Sequence, residues 1–226
     1  SGAPYKFMAS GSGDCTWYPV VAIDVAGHEM THGVTEAVNG LTYSGDAGGL
    51  NEASSDIMGT MVEFSTNNAA DPGDYLIGEK IWRSNPTGTK ALRYMYRPYA
   101  DGASYDCYPT AGFGGVDPHY SSGPANHFFY LLAEGTGTKT FGGVTHAPST
   151  CKAGDTKNRT GTASVAGIGR AKAQAIYYRA MDLYFTSGTT YPQARTATLN
   201  AATDLYGAGS AEYNAVASAW TAVNVN

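Results

Sequence analysis

Two helical segments, each with a stripe of polar residues, constrain the fold of this chain more than any other feature. The segment from Pro19 to about Val38 contains HEMTH, has no internal proline and is followed by Gly40, a pattern that predicts a helix. The sequence NEASSDIMGTMVEF, residues 51–64, predicts a second helix. Apolar residues flank both stripes, which indicates that both helices are largely buried together with their polar residues.

Each stripe consists of residue types that bind metal ions. The residues recur every four positions on the first helix, and about three turns separate the ends of the second stripe. The stripes are Asp24, His28 and His32, then Glu52, Asp56 and Glu63. Buried carboxylates and imidazoles are costly unless they are paired or ligate an ion, and no Lys or Arg is interleaved with them. We therefore expect cations between two antiparallel helices.

The antiparallel arrangement sorts the stripes into two sites, of which the first suits zinc. His28, His32 and Glu52 supply two nitrogens and a carboxylate, the ligand set of a catalytic zinc, and Asp56 would accept the other ring N–H of a ligating histidine. Glu29 lies off the stripe but beside the open metal position, where a general base for water belongs. The alternative, two histidines satisfied within a core, leaves the facing carboxylates unexplained.

The second site offers oxygen ligands only. Asp24 would face Glu63 with no histidine nearby, and such a ligand set suits calcium better than zinc. The loop DPGDYLIGEK, residues 71–80, follows the second helix and could complete the site with Asp74 and Glu79.

Composition argues against two classes of partner and favours a secreted protein. The net charge is −5, so we expect no nucleic-acid partner. No run approaches the roughly 18 apolar residues of a membrane helix, so we expect no membrane partner. Three cysteines without a zinc-finger pattern fit one extracellular disulfide. Cys107 and Cys151 lie in loop-like sequence and are the favoured pair, which leaves Cys15 odd; three reduced, buried thiols are the alternative.

The rest of the chain predicts a mainly α fold. Helical patterns return at 124–134, 167–185, 193–206 and 211–223, the last entered through Ser210. Between residues 65 and 122, Pro, Gly, Asn and Asp are frequent and helical periodicity fades. A connection of this length is usually functional or held together by a ligand.

Five motifs in order resemble the thermolysin family of secreted zinc endopeptidases. The first is HEMTH followed by Glu52 in GGLNEASSDIMG; the others are LRYM, HYSSGPANHFFYLL, VAGIGRAKAQAIYYRAM and ATDLYG. The resemblance implies a helical C-terminal domain with long, calcium-stapled loops over residues 18–226, after a lead-in at 1–17. The family's strand-rich N-terminal domain would be absent from this chain, and a proteolytic nick could leave it as a separate partner chain.

The resemblance also assigns roles around the zinc site. It implies Glu29 as general base and later proton donor, and Asp56 as the residue that orients the first zinc histidine. Tyr43 and His119 match the family's two donors that stabilise the tetrahedral oxyanion. Asp117 stands closer to His119 in sequence than the family's aspartate does, so it is a candidate partner of that histidine.

Further matches concern the substrate. Arg93 matches the arginine that binds the substrate carbonyl in the family. An apolar pocket for the residue after the scissile bond would be lined by Val25, Ile77, Ile81 and Leu92.

The calcium ligands implied by the resemblance are the carboxylates of Asp24, Glu63, Asp74 and Glu79, with the backbone of Leu76. Leu76 and Pro72 stand where the family's paired-ion site has further ligands, so a second adjacent calcium is not expected. Lys90 replaces an aspartate of another family calcium site, which we also expect to be absent.

The sequence therefore predicts a secreted, zinc-dependent endopeptidase that cleaves peptide or protein substrates before bulky hydrophobic residues. A metalloaminopeptidase would need acidic residues that hold a free α-amine, and the sequence singles out none. A zinc-bound but inactive fragment or peptide-binding domain, lacking half of the cleft, is the alternative from another class. The presence of Glu29, which is not a ligand, favours the enzyme.

Overall fold

Helices dominate the computed structural model, which describes residues 22–85 and 87–226, and the predicted mainly α class is confirmed. The helices are α1 (Ile23–Val38), α2 (Gly45–Thr66), α3 (Pro118–Ser121), α4 (Gly123–Glu134), α5 (Arg170–Leu183), α6 (Tyr191–Tyr206) and α7 (Ala211–Thr221). Two antiparallel strand pairs join β1 (Leu76–Ile77) to β2 (Arg93–Tyr94) and β3 (Lys139–Phe141) to β4 (Val144–His146). No helix among the described residues is both long and apolar enough to cross a lipid bilayer.

The first two helices have boundaries that differ from the sequence pattern. Ala22 is extended, so α1 begins at Ile23, and the predicted start at Pro19 lies outside the described residues. α2 begins at Gly45 rather than at residue 51. Its first turn is anchored by Asp46, whose carboxylate accepts hydrogen bonds from distant backbone N–H groups, a tertiary contact that helical periodicity does not reveal.

Two glycines allow α1 and α2 to pack at short distance. A β-carbon at Gly59 would lie 2.3 Å from the carbonyl oxygen of Asp24 and 2.9 Å from the backbone nitrogen of His28. A β-carbon at Gly27 would lie 2.9 Å from the Cα of Gly59. Only glycine fits at these positions, and the resulting close approach brings the two polar stripes into contact.

The segment between α2 and α4 is largely irregular, as predicted. A short strand pair and a disulfide hold it in place. The short β1–β2 pair places Ile77 opposite Arg93. The favoured disulfide is confirmed, because Cys107 is bonded to Cys151; Cys15 lies outside the described residues. The short helix α3 was not predicted.

The core is built around α4, in which every residue except Glu134 is buried. Phe128 of α4 stacks on Trp220 of α7 with ring centroids 3.7 Å apart. The predicted entry of the last helix is confirmed, since the Ser210 side chain accepts from the backbone N–H of Tyr213. Because α3 and α4 follow each other directly, the core helix also fixes the position of α3, which carries His119.

Candidate metal centres

The three predicted zinc ligands converge on one point. α1 supplies His28 and His32 and α2 supplies Glu52, and one ligand atom from each lies within 4.8 Å of the others. Nε2 of His28 is 3.4 Å from Oε2 of Glu52, and Nε2 of His32 is 3.5 Å from Oε1. His28 and Glu52 are buried and His32 is half-buried, so the cluster opens towards solvent on the His32 side.

Both histidine rings are fixed by a partner at Nδ1. Nδ1 of His28 is 2.7 Å from Oδ1 of Asp56, which can only accept when ionised. Nδ1 of His32 is 2.8 Å from Oδ1 of Asn51, and the amide nitrogen of Asn51 donates to the carbonyl of Leu41 at 2.9 Å. Each Nδ1 therefore carries a hydrogen, and each Nε2 is left for a ligand.

The facing ring nitrogens require positive charge between them. The Nε2 atoms of His28 and His32 are 3.1 Å apart, and with hydrogen on both Nδ1 atoms each neutral ring presents a lone pair. Oε2 of Glu52 is buried and has no hydrogen-bond partner among the described residues. A proton or a metal cation resolves this arrangement, and two nitrogens with one carboxylate are a donor set that fits zinc.

The electrostatics of the cluster agree with this geometry. Burial disfavours the charged form of His28, but hydrogen bonds to Asp56 and Glu52 outweigh it and raise the pKa of His28 to about 9. Burial also opposes the ionisation of Asp56, but Arg93 and His28 hold the pKa of this carboxyl far below its usual range. Because a metal-bound imidazole is neutral, binding of an ion here would release the proton of His28.

Three more predicted residues meet at the solvent edge of the cluster. Tyr43, half of whose surface is exposed, donates its hydroxyl to Oε1 of Glu52. Nε2 of His119 lies 3.5 Å from the Tyr43 hydroxyl and 3.6 Å from Oε1 of Glu52. Nδ1 of His119 is 2.8 Å from Oδ1 of Asp117, so the candidate partner does contact this ring.

Glu29 and Arg93 differ in their surroundings. Glu29 is exposed on α1, next to His28 in sequence. Arg93 is mostly buried, and its Nε and Nη2 atoms donate to the two oxygens of Asp56 at 2.7 Å each. This bidentate pair connects the guanidinium to the zinc cluster through Asp56.

Three of the four predicted pocket residues pack together. Val25 and Ile81 are buried in a small apolar cluster, and Leu92 packs against it. Ile77 is buried in the main core instead. The structure thus groups the side chains of Val25, Ile81 and Leu92. Ile77 accepts from the N–H of Leu92 at 2.7 Å, but its side chain lies in the main core.

An acidic cluster occupies the other end of the α1–α2 contact. One carboxylate oxygen each from Asp24, Glu63 and Glu79 lies within 4.8 Å of the others. Oδ1 of Asp24, Oε1 of Glu63 and both oxygens of Glu79 are buried without a hydrogen-bond partner among the described residues. Asp74 is not part of this group of three; its Oδ1 accepts from the N–H of Leu76 at 2.7 Å, and its own N–H donates to Glu63 at 3.1 Å.

The acidic cluster is short of positive charge. Burial, together with repulsion from neighbouring carboxylates, raises the pKa of Glu63 to about 10 and that of Glu79 to about 9. The same causes raise the pKa of Asp74 to about 7. A hard cation would satisfy the unpaired oxygens and remove the repulsion, so the residues present fit calcium.

Two asparagines at the zinc site were missed by the sequence reasoning. Asn51 orients His32, and Asn126 donates to Oδ2 of Asp56 at 2.7 Å. The position of Asn51, directly before the ligand Glu52, was a usable signal. Asn126 lies 70 residues from Asp56, and nothing in the local sequence connects the two.

Comparison with known proteins agrees with the geometry. Residues 39–225 match the model of the thermolysin metallopeptidase α-helical domain, and residues 4–36 match that of the thermolysin metallopeptidase catalytic domain. The chain is 54% identical over 94% of its length to a transglutaminase-activating metalloprotease of Streptomyces mobaraensis, and 42% identical over 97% to a bacillolysin of Bacillus cereus. It spans only 26% and 35% of the lengths of these relatives.

A solved structure shows the same likeness. The precursor of protealysin, a metalloproteinase from Serratia proteamaculans, superimposes with a TM-score of 0.66 at 28% sequence identity, over 96% of this chain and 62% of that one. Together with the match of the helical-domain model over most of the sequence, these findings place the chain in the thermolysin metallopeptidase family.

Proposed function

We propose that this chain is the zinc-binding, helical part of a secreted endopeptidase that hydrolyses peptide bonds before bulky hydrophobic residues. The observation that carries the proposal is the convergence of His28, His32 and Glu52, with both rings fixed at Nδ1. A site that only stabilised the fold would more often be closed by a fourth protein ligand. Here the remaining side faces solvent, next to Tyr43 and His119.

His28, His32 and Glu52 would hold the zinc ion. When bound, the ion would act as a Lewis acid that polarises the scissile carbonyl. Glu29, exposed beside His28, would take the proton of the attacking water and later deliver it to the leaving amine. This assignment separates the residues that bind the metal from the residue that moves the proton.

Tyr43 and His119 would donate to the oxyanion that develops on the substrate carbonyl. The Tyr43 hydroxyl is a donor at the exposed edge of the cluster. When the His119 ring carries both protons, Asp117 accepts from Nδ1 and the Nε2–H is directed towards Tyr43 and Glu52. Donors placed in advance at such a point stabilise the transition state more than the substrate.

Substrate preference would come from the apolar cluster beside the zinc site. Val25, Ile81 and Leu92 would receive the side chain that follows the scissile bond, and burial of apolar surface favours a bulky one. Ile77 would support this cluster from the main core rather than line it. Arg93 would bind a substrate carbonyl while it remains paired with Asp56.

Calcium would stabilise the fold at the acidic cluster. Asp24, Glu63 and Glu79 would be its central ligands, with Asp74 and the backbone of Leu76 completing the site. An ion that binds only the folded chain stabilises it by mass action. It would join α1 and α2 to the irregular segment that follows them.

We further infer that residues 18–226 act as the helical domain, after a lead-in at 1–17, and that an N-terminal domain completes the cleft. The curated relatives are longer than this chain, which leaves room for such a domain. Two large apolar side chains are exposed on α1: Met30 is 77% exposed and Val34 40%. Exposed apolar side chains one helical turn apart are suited to contact with another domain.

The test is hydrolysis of an internal peptide blocked at both ends, followed together with zinc content. We expect cleavage on the amino side of a bulky apolar residue, loss of cleavage when zinc is removed by a chelator, and recovery on adding zinc. A preparation that binds one zinc and cleaves nothing would support the inactive or peptide-binding alternative. Cleavage only of peptides with a free α-amine would support the aminopeptidase.

A further inference from the structure

Asp56 connects His28, Arg93 and Asn126, and its carboxylate has four hydrogen-bond partner atoms. Oδ1 is 2.7 Å from Nδ1 of His28 and 2.7 Å from Nη2 of Arg93. Oδ2 accepts from Nε of Arg93 and from the side-chain nitrogen of Asn126, again at 2.7 Å each. Asp56 is fully buried, so these four donors are its surroundings rather than water.

The contacts of Asn126 are one-sided. Its side chain is buried, its nitrogen donates to Asp56, and its Oδ1 has no hydrogen-bond partner among the described residues. An amide that served only to fill space or to tie α4 to a neighbour would be expected to satisfy both ends. Leaving one end unpaired is unfavourable, and the charge-assisted hydrogen bond to Asp56 is the compensating contact.

We propose that Asn126 is a positioning residue of the zinc site, which acts through Asp56 on His28 and Arg93. Without the amide donor, Oδ2 would be held by Arg93 alone, and the carboxylate could turn towards the guanidinium and away from Nδ1 of His28. The ring of His28 would then lose the contact that aims its Nε2 at the metal. The inference rests on the proposed zinc function, but it concerns the binding of the ion rather than hydrolysis.

The arrangement also links two sides of the cleft. Asn126 lies on α4, and α4 follows directly on α3, which carries His119. A displacement of this continuous segment would therefore move the oxyanion donor and the support of Asp56 together. Such coupling is a reason for the donor to come from α4 rather than from the zinc helices themselves.

The decisive variants separate donation from packing. Asn126→Leu keeps a similar volume but removes the donor, whereas Asn126→Ala removes both. If the hydrogen bond is what matters, the two variants weaken zinc binding alike, by about 10-fold or more in chelator competition, as loss of other outer-shell partners does. If packing is what matters, Asn126→Leu retains the zinc affinity of the wild type, and that result would overturn the proposal.

A double-mutant cycle with Asp56→Asn tests the route of the effect. We expect Asn126→Leu to weaken zinc binding much less in the Asp56→Asn background, because the charged acceptor is already gone. Equal losses in both backgrounds would show that Asn126 acts independently of Asp56 and would contradict the proposal. Thr198→Val removes a buried hydroxyl whose hydrogen bonds are to the α6 backbone and to Trp220, not to any residue of the zinc site; it is the control for general destabilisation and should leave zinc affinity unchanged.

The measurements keep the two proposals apart. Zinc affinity is measured without any substrate. A protein that binds zinc but hydrolyses nothing would contradict the proposed function, and the double-mutant cycle in zinc affinity would still test the role of Asn126. If Asn126→Leu unfolds, Asn126→Ser takes its place, because serine retains a shorter donor. The zinc affinity of Asn126→Ser should lie between that of the wild type and that of Asn126→Ala. Zinc affinity of the serine variant equal to that of Asn126→Ala would count against donation.

Discussion

The two polar clusters between α1 and α2 are built on the same pair of helices but are satisfied in opposite ways. In the predicted zinc cluster of His28, His32 and Glu52, Asp56 and Asn51 supply a partner at Nδ1 of each histidine ring, and Oε2 of Glu52 has no hydrogen-bond partner among the described residues. In the acidic cluster, four oxygens of Asp24, Glu63 and Glu79 are buried with no hydrogen-bond partner among the described residues, and Nζ of Lys80 lies 4.0 Å from Oε1 of Glu79. The first cluster is preorganised by protein groups, whereas the second depends on an ion for its own charge balance.

The two ions would therefore have different roles. Fixed tautomers and fixed ring planes suit a site that must present an ion to a substrate in one geometry. Unpaired carboxylates, with pKa values raised by burial and mutual repulsion, suit a site whose ion contributes to folding stability. We therefore expect changes at the first cluster to affect activity more than stability, and changes at the second to do the reverse.

The largest expected effect comes from Glu29→Gln, which removes the proposed general base and no metal ligand. We expect hydrolysis of a blocked peptide to fall by about 10²–10⁴-fold, the usual range for loss of a general base. Zinc stoichiometry and the unfolding midpoint should stay at the wild-type values. Glu36→Gln, an exposed change on the same helix, is the matched control. A Glu29→Gln enzyme with wild-type turnover would remove Glu29 from the mechanism.

The next largest effect should follow withdrawal of calcium from the zinc-loaded protein. At a free calcium concentration one hundred times the dissociation constant, the ion stabilises the folded state by about 3 kcal/mol, and a calcium-selective chelator should remove that amount. Thermal unfolding with and without the chelator measures the shift. Glu63→Gln should reduce the shift in thermal unfolding that the chelator causes, and Glu36→Gln should not. An equal response in both variants would place the stabilising calcium elsewhere.

The last expected effect concerns His146, a buried residue of β4. His146 stacks on Tyr96 with ring centroids 3.9 Å apart, and neither of its ring nitrogens has a hydrogen-bond partner among the described residues. Burial lowers the pKa of His146 from 6.5 to about 4, only partly opposed by Glu134. Between these two values the unfolded chain binds more protons, so the stabilisation present above pH 6.5 is lost as the pH falls towards 4.

The corresponding variant is His146→Phe, which keeps an aromatic ring but cannot titrate. We expect its free energy of unfolding to fall less than that of the wild type between pH 6.5 and 4, by up to about 3 kcal/mol. Tyr96→Phe changes the other stacked ring without adding or removing a group that titrates between pH 4 and 6.5. Its free energy of unfolding should therefore depend on pH as that of the wild type does. Denaturant unfolding at several pH values makes the comparison; parallel curves for His146→Phe and wild type would show that the pKa of His146 is the same in the folded and the unfolded state.

Much of the site could be predicted from local sequence because its residues repeat along two helices. The four-residue spacing of Asp24, His28 and His32 fixes their common face once the segment is helical. The opposing stripe on α2 then follows from the cost of burying unpaired charge. The disulfide and the mainly α fold were also predicted, from loop composition and from helical periodicity.

Other features depended on contacts between residues far apart in sequence. The early start of α2 depends on Asp46 accepting from the backbone of Phe113 and Tyr191, which local periodicity does not contain. Ile77 is apolar like the other predicted pocket residues, but the β1–β2 pairing directs it into the main core. Residue type and spacing predict burial, whereas the direction of burial is set by the neighbours.

Residue types and their spacing were enough to predict which residues could bind metals and on which helix faces they lie, because helical geometry converts spacing into direction. Which atoms remain free for an ion could not be predicted from spacing. That choice depends on Asn51, Asn126 and Arg93, which occupy the remaining positions around the histidines and Asp56. Hydrogen bonds to buried charges form wherever packing brings donors within about 3 Å, and packing is a property of the whole fold.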